Sequence, residues 1–163
     1  MSSLLLLAPP AHTRQLLIWD VKGSDDLRQI RTGLHRLFDI DEWPAASPSA
    51  APPKPTQDRT AQEEVAQRIA LVATELVGNA LRHGRPPVTV RLLRDPDSYI
   101  IDVSDHAPDD VPEHAAPREH ISAGGRGLLI ARTLAQQLCW YRDGNTKHVW
   151  ASFPAPHDVV PLC

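Results

Sequence analysis

The stretch IALVATELVGNALRHG, residues 69–84, has the apolar spacing of a buried helix with a polar border. At 3.6 residues per turn, apolar side chains recur on one face of such a helix. These are Ile69, Val72, Ala73, Leu76, Val77 and Ala80. Glu75, Asn79 and His83 follow one another at four-residue spacing along the border of that face. The pattern predicts a core helix that carries polar side chains at its edge.

Two later segments give this helix a chemical context. YIIDVSD, residues 99–105, is an apolar strand pattern that ends in the carboxylate of Asp105. GGRGLLIARTLAQQL, residues 124–138, opens with a glycine-rich turn and continues as an amphipathic helix. Glycines let a backbone approach a ligand closely, and the free N–H groups of a first helical turn suit phosphate. The three segments together predict a site for a phosphate-bearing ligand.

These residues resemble a known family. ELVGNALRH resembles the N box of the GHKL ATPase superfamily, which has the Bergerat ATP-binding fold, DVSDHA resembles its adenine box, and GGRGL resembles its phosphate box. The compact length and the GRGL motif are most similar to those of the anti-sigma-factor serine/threonine kinases, the RsbW-like group. The resemblance covers residues 12–154. It implies an ATP-binding kinase that works with Mg²⁺ in bacterial transcription regulation.

The resemblance implies roles for the residues of the first two boxes. Glu75 is the candidate catalytic base, because a carboxylate can accept the proton of a hydroxyl beside the γ-phosphate. Asn79 is the candidate Mg²⁺ ligand, and His83 matches the histidine of the N box. Asp105 can accept a hydrogen bond from the 6-amino group of adenine. Ala107 stands where the family usually has glycine. The alternatives are a surface Glu75, a turn-forming Asp105 and a His83 that complements its helix end.

The phosphate box adds four further candidates for nucleotide binding. Gly125 and Gly127 are expected to bring backbone N–H groups to the phosphates, and Leu128 follows them in the GRGL pattern. Arg126 can pair with phosphate or with a partner protein, or can be an ordinary solvated side chain.

The family resemblance also implies partners. Its members bind a sigma factor and phosphorylate a serine on an antagonist of the STAS type, and they often form homodimers. Two alternatives stay open. One is a binding module that exchanges partners without catalysis, and the other is the detached ATP-binding domain of a histidine kinase.

Composition limits the class of protein. A chain of 163 residues with 42% hydrophobic and 23% charged residues is long enough for one domain with a proper core. A net charge of −3 without a basic cluster argues against nucleic acid as the main partner. The opening MSSLLLLAPP is too short for a secretory or membrane segment, so we expect a cytoplasmic protein with reduced cysteines. The histidines of residues 106–123 match no zinc spacing.

The pattern along the chain predicts an α+β fold, a two-layer α/β sandwich in which helices cover one face of a mixed, mostly antiparallel sheet. Ser24 is the expected cap of a first helix, and Thr60 with Glu63 forms a capping-box pattern at the start of the central helix. The expected domain spans residues 12–154, with tails at 1–11 and 155–163. Within it lie five segments that we predict as strands, at 13–21, 88–94, 98–105, 137–143 and 148–154, a proline-rich loop at 41–60, and a lid over the ligand at 106–123.

Overall fold

The computed structural model describes residues 4–38, 57–109 and 126–156, and of residues 57–60 and 126 it describes the backbone alone. Most of the proline-rich loop and of the expected lid therefore lies outside the described residues. Within the described ranges the elements are one mixed sheet, three α-helices and a short 3-10 turn. The predicted α+β class, with helices packed on one face of a mostly antiparallel sheet, is confirmed.

The sheet has six strands in the spatial order β1-β5-β6-β4-β3-β2. Every neighbouring pair is antiparallel except β1 and β5, which are parallel. The strands are β1 (Leu5–Leu6), β2 (Arg14–Val21), β3 (Val88–Arg94), β4 (Ser98–Asp105), β5 (Gln137–Asp143) and β6 (Thr146–Pro154). In the turn between β3 and β4, Asp95 Oδ1 accepts the N–H groups of Asp97 and Ser98, both at 2.7 Å. This is how an aspartate stabilises a tight turn.

Three α-helices pack against one face of this sheet. They are α1 (Leu27–Leu37), α2 (Gln57–His83) and α3 (Arg126–Leu134). The apolar face predicted for α2 is buried throughout, with Ile69, Val72, Ala73 and Val77 each at 0% exposure. It packs against inward residues of the sheet such as Val90. The central helix is therefore the middle of the core, as its period predicts.

Two predicted helix starts are wrong. Residues 24–26 form a 3-10 turn that begins after Gly23, and α1 begins at Leu27, so Ser24 does not cap it. The Asp26 carboxylate accepts the backbone N–H of Lys22 at 2.8 Å. Helix α2 begins at Gln57, so Thr60 lies inside it. The last proline of the preceding segment is Pro55, and nothing in the four residues after Gln57 opposes a helix.

The structure also extends the sheet to β1, which the sequence analysis placed in the tail at 1–11. Leu5 and Leu6 pair with Cys139 and Trp140 of β5. The indole N–H of Trp140 donates to the Leu4 carbonyl at 3.2 Å. The indole N–H of Trp150 on β6 donates to the Leu7 carbonyl at 2.7 Å. A strand of two residues has no period for a sequence pattern to reveal.

Candidate functional site

Helix α2 contacts both of the other motif segments. Helix α2 carries Glu75, Asn79 and His83, strand β4 ends at Asp105, and α3 starts with Arg126 and Gly127. Contacts from α2 to both other segments hold them together. The fold therefore places the start of α3 and the end of β4 against the same helix.

The first contact joins α2 to the start of α3. A Cβ placed on Gly127 would lie 2.6 Å from Glu75 Oε2, so a larger residue at this position would displace the carboxylate from where it now lies. The first turn of a helix has N–H groups without helical partners and carries partial positive charge. Glu75 thus lies beside the start of a helix, where partial positive charge favours an anion.

The second contact joins the end of α2 to the end of β4. A Cβ on Gly84 would lie 2.5 Å from Asp105 Cγ and 2.6 Å from the Ala80 carbonyl oxygen. The N–H of His106 donates to the Arg85 carbonyl at 2.9 Å, which ties the next residue of the strand to the same turn. Asp105 is therefore fixed against the C-terminal end of the helix that carries Glu75.

Asp105 is buried, at 2% exposure, and both of its carboxylate oxygens have a partner. Oδ1 accepts the N–H of Ala107 at 2.7 Å, and Oδ2 lies 3.4 Å from Nζ of Lys147 on β6. Lys147 is also buried, at 4% exposure. The site thus holds a buried ion pair at the position where the sequence predicts adenine recognition.

Lys147 was missed by the sequence analysis, although a signal for it exists. Along β6, the residues Val149, Ala151 and Phe153 alternate toward the helices and belong to the main core. Lys147 has the same parity. Because alternate residues of a strand share a face, a lysine at this position is a charge on the core side of the sheet. Such a charge requires a partner.

The remaining predicted residues fall into three groups. Asn79 is partly exposed one turn after Glu75, and His83 is exposed in the last turn of α2, where a basic side chain complements the helix dipole. Ala107 and Leu128 are buried, at 4% and 3% exposure, and Leu128 packs in the main core. Gly125 and the side chain of Arg126 lie outside the described residues.

Comparison with protein families agrees with this geometry. Residues 55–153, more than half of the chain, match the model of the histidine kinase-like ATPase domain. The chain belongs to that family. The matched range contains all three motif segments, and the family match supports ATP binding by this histidine kinase-like ATPase domain. The resemblance to the GHKL ATPases is thus confirmed at the level of the superfamily. A comparison with curated proteins found no match.

Metal sites and membrane-spanning helices are two other features that the described residues could contain. Among the residues that the structure describes, no group of three or more His, Cys, Asp or Glu side chains is placed to hold a metal ion. In the same part of the chain, no helix is both long and apolar enough to cross a membrane.

Proposed function

We propose that this ATPase domain is a serine/threonine protein kinase of the anti-sigma-factor type, which uses ATP with Mg²⁺. The observation that carries the proposal is the contact between Glu75 and Gly127 at the start of α3. It brings a carboxylate of the right type for a general base to the helix start that is suited to phosphate. Phosphate transfer to a hydroxyl needs a base for that hydroxyl close to the groups that bind the phosphates.

Each candidate residue has a role in this proposal. Glu75 orients the hydroxyl of the substrate serine and accepts its proton. Asn79, one turn further along α2, supplies a side-chain oxygen to Mg²⁺. Asp105 accepts a hydrogen bond from the adenine 6-amino group. The backbone N–H groups of Gly125 and Gly127 hold the phosphates, and His83, Arg126, Ala107 and Leu128 complete the nucleotide-binding segments.

The donor set fits ATP with Mg²⁺. Mg²⁺ prefers oxygen ligands and keeps several waters, so one side-chain oxygen together with phosphate oxygens is a sufficient set. Asn79 is partly exposed and therefore accessible to such a ligand. Mg²⁺ would neutralise charge on the phosphates. The missing side chain at Gly127 leaves room for the Glu75 carboxylate, whose Oε2 would lie 2.6 Å from a Cβ at this position.

The partners in this proposal are a sigma factor and a STAS-type antagonist. Phosphorylation of the antagonist would decide which of the two the kinase holds. Self-association into a homodimer belongs to the same proposal. These assignments rest on the resemblance of the three boxes to the anti-sigma-factor kinases.

A second candidate function is a nucleotide-binding module that exchanges partners without transferring phosphate. Ala107 favours it, because the buried Cβ of this residue restricts the backbone at a position where the family usually has glycine. A detached histidine-kinase domain has less support. The described residues before α2 form two strands, a 3-10 turn and α1, whereas a phosphoacceptor histidine usually lies on a helical hairpin.

Calorimetric titration with ATP, with and without Mg²⁺, tests the nucleotide site. We expect binding that depends on Mg²⁺ in the wild type, and its loss in Asn79→Ala and Asp105→Asn. Binding that is equal in all three proteins would contradict the assigned roles.

Phosphate transfer to STAS-domain proteins separates the kinase from the module. Glu75→Gln should keep ATP affinity and lose about 10²- to 10⁴-fold in transfer rate, the usual contribution of a general base. Glu64→Gln is the matched control, because Glu64 is exposed on the same helix. Equal rates for Glu75→Gln and wild type would exclude Glu75 as the base. An acid-labile phosphate on the protein itself would instead indicate a histidine kinase.

A further inference from the structure

Lys147 occupies an unusual position for a lysine. It lies directly opposite Asp105 in the pairing of β4 with β6, on the core side of the sheet, and only 4% of it is exposed. Burying an ammonium group is unfavourable unless the charge is paired and hydrogen-bonded. In the described part of the chain its one partner is Asp105 Oδ2, at 3.4 Å, which is a long contact for an ion pair.

The pair keeps unused hydrogen-bonding capacity. An ammonium group has three donors, and a carboxylate has about four acceptor sites. Within the described residues, Asp105 uses one site on each oxygen, and Lys147 uses one donor. An acceptor and a donor therefore lie side by side, both with capacity to bind a further group.

We propose that Lys147 and Asp105 together read the edge of adenine, with Asp105 accepting from the 6-amino group and Lys147 donating to N1. The inference rests on the proposed nucleotide site and adds to it a residue that determines specificity. Adenine presents a donor at position 6 beside an acceptor at N1, which is the complement of a carboxylate beside an ammonium group. The ligand would also supply the hydrogen bond that the buried ammonium lacks.

The same pair rejects guanine in that orientation. Guanine has a carbonyl acceptor at position 6, which would face the carboxylate, and an N1–H donor, which would face the ammonium. Both contacts would then be repulsive, and buried polar groups left without partners strongly disfavour binding. Lys147 would thus make the site more selective for adenine than Asp105 alone would.

The test compares nucleotides on the wild-type protein. 1-Deaza-ATP has a C–H group in place of N1 and keeps the 6-amino group, so it removes only the contact assigned to Lys147. We expect it to bind about 10- to 100-fold more weakly than ATP, since a hydrogen bond to a charged group is lost. Purine riboside triphosphate, which lacks the 6-amino group, tests Asp105 separately. GTP should bind more weakly than either analogue.

Variants assign the effect to the side chain. Lys147→Met keeps a side chain of similar length but removes the ammonium group. The dissociation constant for 1-deaza-ATP divided by that for ATP should then fall to about 1. Lys147→Gln retains a donor and should keep part of the ratio. Lys22→Met is the matched control, because Lys22 is exposed at the end of β2, and its ratio should equal that of the wild type.

The outcomes distinguish this inference from the proposed function. If the wild type binds ATP and 1-deaza-ATP equally, Lys147 does not read N1, although the nucleotide site stands. If the wild type binds no ATP and Lys147→Thr does, Lys147 blocks the pocket, which overturns the inference. If neither protein binds any nucleotide, the proposed function and the inference fail together. GTP binding tighter than ATP would also overturn the assigned orientation.

Discussion

Strand β4 carries two buried aspartates three residues apart, and they lie on opposite faces of the sheet. Asp102, at 0% exposure, faces away from the helices, and Asp105, at 2% exposure, faces them. Both are paired with cationic side chains. Burial and an ion pair therefore do not by themselves identify a functional carboxylate, because these two residues share both properties.

The two carboxylates differ in how fully their oxygens are used. Asp102 accepts hydrogen bonds from Nε and Nη2 of Arg91, and both of its oxygens lie 3.1 Å from Nδ1 of His148. Tyr141 closes the network, with its hydroxyl 3.3 Å from Arg91 Nη2 and its ring stacked on His148 at 4.4 Å. Asp102 is a satisfied structural group. Asp105 has one partner on each oxygen in the described chain, which leaves sites for a ligand.

Replacing each aspartate should separate stability from binding. Asp102→Ala removes the acceptor at the centre of a buried charged network, and we expect a loss of about 3 to 5 kcal/mol in the free energy of unfolding. The folded variant should still show the full rise in melting temperature with ATP, because ligand binding to the native state is unaffected. Asp105→Asn should lose that rise. Urea unfolding and thermal melting with ATP measure both effects.

Asp20→Ala is the control for Asp102→Ala, since Asp20 is exposed on β2 and accepts a hydrogen bond from the Thr89 hydroxyl at 3.2 Å. Its effect on stability should stay within about 1 kcal/mol. The distinction between the two aspartates would break down if Asp102→Ala abolished the response to ATP while remaining folded.

Alanine at Gly84 or at Gly127 also distinguishes an effect on stability from an effect on the nucleotide site. Gly84→Ala would place a Cβ 2.5 Å from Asp105 Cγ and 2.6 Å from the backbone oxygen of Ala80, so the helix end must shift. We expect a loss of about 1 to 3 kcal/mol in stability, as for other overpacked sites. Weaker ATP binding should accompany it, because Asp105 moves with the helix end. Urea unfolding and ATP titration are the measurements.

Gly127→Ala should act on turnover instead. Its Cβ would meet Glu75 Oε2 at 2.6 Å, which is the far end of a flexible side chain that can swing aside. Stability should change by no more than about 1 kcal/mol, because alanine favours a helix. The phosphate transfer rate should fall by about tenfold or more, since a displacement of about 1 Å at a catalytic group has a large effect. An unchanged rate would show that Glu75 needs no fixed position.

Local patterns explain why so much of this site was predictable. The period of α2 placed its apolar face and its polar border correctly, since helical spacing acts over a few residues. The ends of β3 and β4 followed from Asp95 and the turn it stabilises. Each of these features depends on residues close together in the chain. The order of the three motifs then identified the superfamily.

The features that the sequence did not reveal depend on distant pairings. The contact of Asp105 with Lys147 requires the register of β4 against β6, two strands separated by the expected lid, α3 and β5. The contact of Gly127 with Glu75 requires the packing of two helices. Strand β1 forms only because β5 offers an edge to Leu5 and Leu6. No local periodicity encodes these relations.

The smallest expected effect is on the pH dependence of stability, through Tyr141 in the hydrogen-bond network around Asp102. Burial, together with the nearby Asp102 carboxylate, raises the pKa of Tyr141 from its usual 10 to about 12. The unfolded chain therefore loses this proton first as the pH rises. The contribution of Tyr141 to stability is fully present below about pH 10 and is lost as the pH approaches about 12.

Tyr141→Phe should make stability less dependent on pH in that window, because it removes the titrating group. The chain has two tyrosines, so Tyr99→Phe leaves Tyr141 as the one phenol whose ionisation an ultraviolet titration follows. ATP affinity, measured at neutral pH, should be the same in Tyr141→Phe and wild type, since Tyr141 belongs to the face away from the helices. A change in that affinity would mean that the two faces of β4 are coupled, and that Asp102 acts on the nucleotide site through the strand it shares with Asp105.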